Sequence, residues 1–146
     1  MRAQAAVGSF AAAFALALLL AATPAQACVP PSAYLHFPPG DAHVTDAHHA
    51  VLEGLILAPA RTMPASRSRY DVTGYADSAE AYDPGLSRRR AEAVRDYLLS
   101  VGVPRDQIEL TFRGETGRLV DTEQLDGNNR AVTVDLSNPD YPLRCP

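Results

Sequence analysis

Residues 85–94 read GLSRRRAEAV, and one arginine of that run differs from its neighbours. A helix turns about 100° per residue. With Leu86 as the origin, Arg90 falls beside Ala91, Val94, Tyr97, Leu98 and Val101 within an arc of about 140°. Arg88 and Arg89 fall outside that arc and read as solvated. An arginine on an apolar stripe has three fates. It can snorkel to water, pair with a buried carboxylate, or hold an anionic ligand in a cleft. The first two are the commoner. Asp77 is the candidate partner. It follows a predicted strand, and a strand end shares a rim with the start of the next helix, where α/β ligand sites form. Asp77 and Arg90 are therefore expected to face one pocket.

The other reactive side chains form weaker patterns. His48 and His49 are adjacent and diverge by about 100° on a helix, so they cannot share a metal as an i, i+4 pair would. With His36 and His43 they show no ligand spacing, and exposed helix histidines are expected. Ser87 lacks a G-x-S-x-G surround and lies on the core side, beside Arg90. Asp77 with Glu80 or Asp83 reads as a short acidic loop, with no second catalytic group. Arg113 and Glu115 read as a rim ion pair of small value. No metal, cofactor or catalytic constellation emerges, and the chain is read as a non-enzyme.

These residues need elements to position them. Ala33 to Phe37 is a short strand closed by Pro38-Pro39-Gly40. Thr45 or Asp46 caps a helix whose apolar positions Val51, Leu52, Leu55 and Ile56 recur at helical spacing, and Pro59 stops it. RYDVTGYAD alternates, with Tyr70, Val72 and Gly74 on one face. A second helix is capped by Asp83, carries Pro84 at its first position and ends at Gly102. QIELTFRG is a strand with Ile108, Leu110 and Phe112 alternating. A long polar loop follows, and NRAVTVDL is the last strand. The order β-α-β-α-β-β predicts an α/β (α+β) sandwich, a small mixed four-stranded sheet covered on one face by helices.

The N-terminus reads as an export signal. Arg2 precedes VGSFAAAFALALLLAA, and Ala25-Gln26-Ala27 forms an A-x-A cleavage site, so residues 1–27 are expected to be a signal peptide and residues 28–146 one domain. The whole chain carries 13 basic residues, all arginine, against 17 acidic ones. An acidic domain is a poor partner for nucleic acid. Export implies an oxidising compartment, so Cys28 and Cys145 are expected to form a disulfide. The alternative is a lipidated Cys28, which would attach the chain to the outer membrane.

The stretch GYADSAEAYDPGLSRRRAEAVRDYLLSVGVP resembles the core of the OmpA-like peptidoglycan-binding family, whose pattern is G-[HY]-T-D, a short loop, then N-x-x-L-S-x-x-R-A-x-x-V. Gly74, Tyr75 and Asp77 match the first block. Leu86, Ser87, Arg90, Ala91 and Val94 match the second. Gly114 and Glu115 partly match G-x-G-E, and Asn129, Arg130 and Val132 match N-R-R-V. The likeness covers residues 34–136. It implies non-covalent binding of the peptidoglycan stem peptide at diaminopimelate, in the periplasm. Asp77 would take the ligand's ammonium and Arg90 its carboxylate, with Ser87, Asn129 and Arg130 as secondary contacts. A zwitterionic amino-acid end needs one anion and one fork-shaped cation on the same rim. The chain departs from the pattern at Ala76, at Ser78-Ala79-Glu80 where a glycine is usual, at Asp83 for asparagine, and at Ala131 for arginine. A divergent interaction module that has lost wall binding is the second reading. A wall-lytic enzyme is a distant third.

Overall fold

The computed structural model describes residues 30–81, 83–114, 117–120 and 127–141. Four strands form one sheet: β1 (Ser32–His36), β2 (Arg69–Tyr75), β3 (Ile108–Gly114) and β4 (Ala131–Ser137), in the order β1-β4-β2-β3. β4 runs antiparallel to both β1 and β2, and β2 runs parallel to β3. The parallel pair requires a crossover, which α3 (Leu86–Ser100) supplies. The mixed sheet and the helix placement agree with the sequence expectation.

The register puts one continuous apolar face against the helices. Leu35 faces Val132, Val134 faces Val72, and Leu136 faces Tyr70. All six are buried, with Phe37 filling the end of the layer. Each such side chain contributes about 1.5–3 kcal/mol of burial. The opposite face is polar. Asp71 there lies in register with Glu109 and Asp135. Burial first, and then these two carboxylates, raise its pKa.

The first helical segment is not uniform. α1 (Asp46–Leu52) passes through a π-helical turn (Glu53–Leu57) into the short α2 (Ala58–Ala60). Pro59 therefore does not stop the helix. Its ring would crowd the carbonyl of Leu55 in a regular helix, and the wider turn lies just before it. Leu52, Ile56, Leu57 and Ala60 point into the core, whereas Leu55, expected inside, is 51 % exposed.

α3 begins at Leu86, with Gly85 as N-cap and no side-chain cap. Asp83, expected to cap, instead pairs with Arg89. The C-terminus closes as a Schellman motif. Val103 N–H donates to Leu98 O at 3.0 Å and Gly102 N–H to Leu99 O at 3.1 Å, with Gly102 at φ +93°. At its other end α3 presses on β2. A Cβ on Gly74 would lie 2.1 Å from the backbone oxygen of Ser87. Only glycine allows that approach, which brings the start of α3 onto the end of β2.

Candidate functional site

Four charged side chains define the candidate site at the rim where β2 ends and α3 begins. Asp77 follows β2, Glu80 closes the 3₁₀ turn Ser78–Glu80, Arg90 lies in the second turn of α3, and Arg130 precedes β4. Asp77 and Glu80 form a capping box across that turn, with Asp77 N–H donating to Glu80 Oε2 at 3.2 Å.

Helical rotation turns Arg90 inward, and its partner there is Glu80. The fork is bidentate: Nη2 donates to Oε1 at 2.6 Å and Nη1 to Oε2 at 2.8 Å. Nε donates to Asp41 O at 2.8 Å, Nη1 also to Tyr75 O at 3.1 Å, and Nη2 also to Pro38 O at 3.2 Å. A guanidinium has five N–H donors, and these five contacts engage all of them. Arg90 is 0 % exposed. Glu80 in turn accepts from Gly40 N–H at 2.9 Å. Burial pushes the Glu80 carboxyl upward, but the Arg90 hydrogen bonds and the Gly40 and Asp77 amides outweigh it, and its pKa lies below the ordinary value. The result is a buried knot joining the 38–41 loop, the end of β2, the 78–80 turn and α3.

Asp77 meets a different arginine. Arg130 Nη1 donates to Asp77 Oδ2 at 2.6 Å, with side-chain exposures of 22 % for Arg130 and 4 % for Asp77. Two atoms of this pair, Asp77 Oδ1 and Arg130 Nε, are buried without a hydrogen-bond partner among the described residues. An unpaired buried polar atom costs about 1–3 kcal/mol, so this pair is the less satisfied of the two. Tyr34 and His36 on β1 flank Arg130. Burial raises the Tyr34 pKa against the opposing charge of Arg130. Burial, then Arg130 and Arg90, lower that of His36.

The secondary positions have structural partners. Ser87 is buried where α3 meets Gly74. Asn129 is buried and holds the 119–120 backbone. Its Oδ1 accepts from Leu119 and Val120 N–H, both at 2.8 Å, and its Nδ2 donates to Val120 O at 3.0 Å. Arg88 and Arg89 are exposed, as expected. Arg88 lies 4.3 Å over the Phe112 ring, and Arg89 pairs with Asp83.

The histidine expectation needs a correction. His48 is not an exposed helix residue. It is 9 % exposed, tilts against Phe37, takes Thr45 N–H on Nδ1 at 3.3 Å and meets His36 O through Nε2 at 2.8 Å. It completes the capping box of α1 in the place a glutamate usually takes. His49 stacks on Tyr97. No group of His, Cys, Asp or Glu among the described residues could hold a metal ion. Cys28, Cys145 and Glu115 lie outside the described residues.

Glu80 was missed as the partner of Arg90. The signal was present: D-S-A-E at residues 77–80 is a capping-box pattern, which turns the glutamate back toward the strand end.

The OmpA family model matches residues 36–131, and the chain belongs to the OmpA family. Outer membrane protein A of Escherichia fergusonii is 39 % identical over 71 residues, covering 47 % of this chain and 29 % of that protein. Outer membrane protein A of Escherichia coli O157:H7 is equally similar over the same share of this chain and 20 % of its own length. The chain thus matches less than a third of these relatives. Among solved structures, the peptidoglycan-associated lipoprotein of Burkholderia pseudomallei superposes with a TM-score of 0.59 at 23 % identity, covering 72 % of this chain and 90 % of that one. The C-terminal domain of Helicobacter pylori MotB gives 0.61 at 18 % identity, over 73 % and 85 %. These two likenesses show the fold.

Proposed function

We propose that this chain binds bacterial cell-wall peptidoglycan without covalent chemistry, at the diaminopimelate of the stem peptide, as an exported envelope protein. OmpA-like domains are peptidoglycan-binding modules rather than enzymes, and that is the class of activity we assign. The observation that carries the reading is Asp77. It is a nearly buried carboxylate on the β2–α3 rim, with Oδ1 unpaired among the described residues and a guanidinium beside it. Such an oxygen suits the ammonium of a zwitterionic amino-acid end, and the adjacent guanidinium suits its carboxylate. Arg90 is the arginine at the family's carboxylate position, with Ser87, Asn129 and Arg130 around it. Residues 1–27 would direct export to the periplasm, and Cys28 would either pair with Cys145 or carry the lipid of an outer-membrane lipoprotein.

A second reading has its own support. Glu80 fills the fork of Arg90, as expected of a divergent interaction module that has lost the wall. Co-sedimentation with purified insoluble peptidoglycan separates the two. Wild type in the pellet and Asp77→Ala in the supernatant supports wall binding. Wild type in the supernatant supports the second reading.

A further inference from the structure

We infer that Glu80 is a built-in carboxylate that permanently occupies the fork of Arg90, so that the carboxylate of a bound amino-acid ligand is read by Arg130. Arg90 is then a positioning residue. This rests on the wall-binding reading and assigns the roles within it.

Three observations carry the assignment. First, Arg90 has no donor to offer: all five N–H groups are engaged, two with Glu80 and three with backbone carbonyls of Pro38, Asp41 and Tyr75. A ligand carboxylate could reach it only by displacing Glu80, which also holds the Gly40 and Asp77 amides. That exchange would leave a buried charge and two backbone donors uncompensated. Second, Arg130 has capacity. Its side-chain bond among the described residues is Nη1 to Asp77, its buried Nε has no hydrogen-bond partner among them, and it retains exposure where Arg90 has none. The side-on edge of a guanidinium, Nε with one terminal nitrogen, is one of the two edges that bind a carboxylate bidentately. Third, the unpaired Asp77 Oδ1 and the unpaired Arg130 Nε belong to residues already joined at 2.6 Å. A head group with an ammonium and a carboxylate on one carbon carries both complementary charges.

Arg90 therefore acts indirectly. It holds the 78–80 turn and so fixes Asp77, the residue that begins it. The same chemistry recognises any α-amino acid end, so free meso-diaminopimelate is the defining probe and free D-alanine the comparison.

The test combines wall sedimentation of the mature chain with ¹H–¹⁵N spectra of its arginine Nε–H groups during titration with meso-diaminopimelate. Arg130→Ala is expected to weaken binding roughly tenfold to hundredfold, and Arg130→Lys is expected to restore part of the loss. In wild type the Arg130 Nε–H signal should shift on titration, while that of Arg90 stays in place and protected from exchange. These spectra decide the matter even if Arg130→Ala folds poorly. A shifted Arg90 signal, or unchanged binding by a folded Arg130→Ala, overturns the assignment and leaves wall binding intact. Wild type that neither sediments nor titrates overturns both.

Discussion

Two arginine–carboxylate pairs at the rim of this domain are of opposite character. Arg90–Glu80 is completely buried and every guanidinium donor is used. Arg130–Asp77 is tied by one short bond and leaves one polar atom on each partner unpaired among the described residues. The first has the bonding of a structural knot, and the second is the pair we propose for ligand recognition. Pairs of the same chemical type are thus distinguished by how many of their hydrogen-bonding groups the fold already satisfies. Charge alone does not separate them, and neither does position on the rim.

The contrast can be broken most forcefully at Arg90. Removing one partner of a buried pair leaves the other charge uncompensated, so Arg90→Ala should destabilise the domain by about 3–5 kcal/mol, read by urea denaturation. Asp77→Ala should cost less stability, because its partner Arg130 reaches solvent, yet abolish sedimentation with peptidoglycan. If Arg130→Ala proves as destabilising as Arg90→Ala, the distinction fails.

Acid sharpens the same comparison. The Glu80 carboxyl has its folded pKa below the ordinary value near 4.5. The unfolded chain therefore takes up its proton first as pH falls. Stability from this group is fully present above about 4.5, and is lost as pH drops through the depressed folded value. Glu80→Gln should be less stable than wild type at neutral pH and flatten the acid limb of the stability profile, measured as unfolding midpoints from pH 7 to pH 2.

The smallest effects belong to the remaining arginines of the run. Arg88→Ala removes an exposed contact with Phe112 worth about 0.5–1 kcal/mol. Arg89→Ala breaks a surface pair with Asp83 and should not move the melting temperature measurably. Neither should alter wall binding.

Much of this was legible in the sequence, for identifiable reasons. Helical rotation singled out Arg90 from Arg88 and Arg89, because it alone of the three falls within the apolar arc. Strand alternation placed Tyr70, Val72 and Gly74 on the face that α3 covers. The partner of Arg90 was not legible in the same way. Asp77 and Glu80 are both carboxylates after β2, and the choice between them depends on the 3₁₀ turn and on the 38–41 loop folding over from a distant part of the chain. His48 was misplaced for a similar reason. Its burial comes from Phe37 on another element, which no local period reports. Leu55 and Pro59 show the limit of a fixed 3.6-residue period, since a π-helical turn shifts the inward face from Leu55 to Leu57.

The central claim is that this rim recognises a wall amino-acid head group through Asp77, and calorimetric titration tests it most directly. A soluble muropeptide ending in diaminopimelate is titrated into the wild-type domain and into a folded Asp77→Ala variant. Saturable heat with wild type and none with the variant is the expected result. Equal heats from the two proteins, or none from wild type, would contradict it.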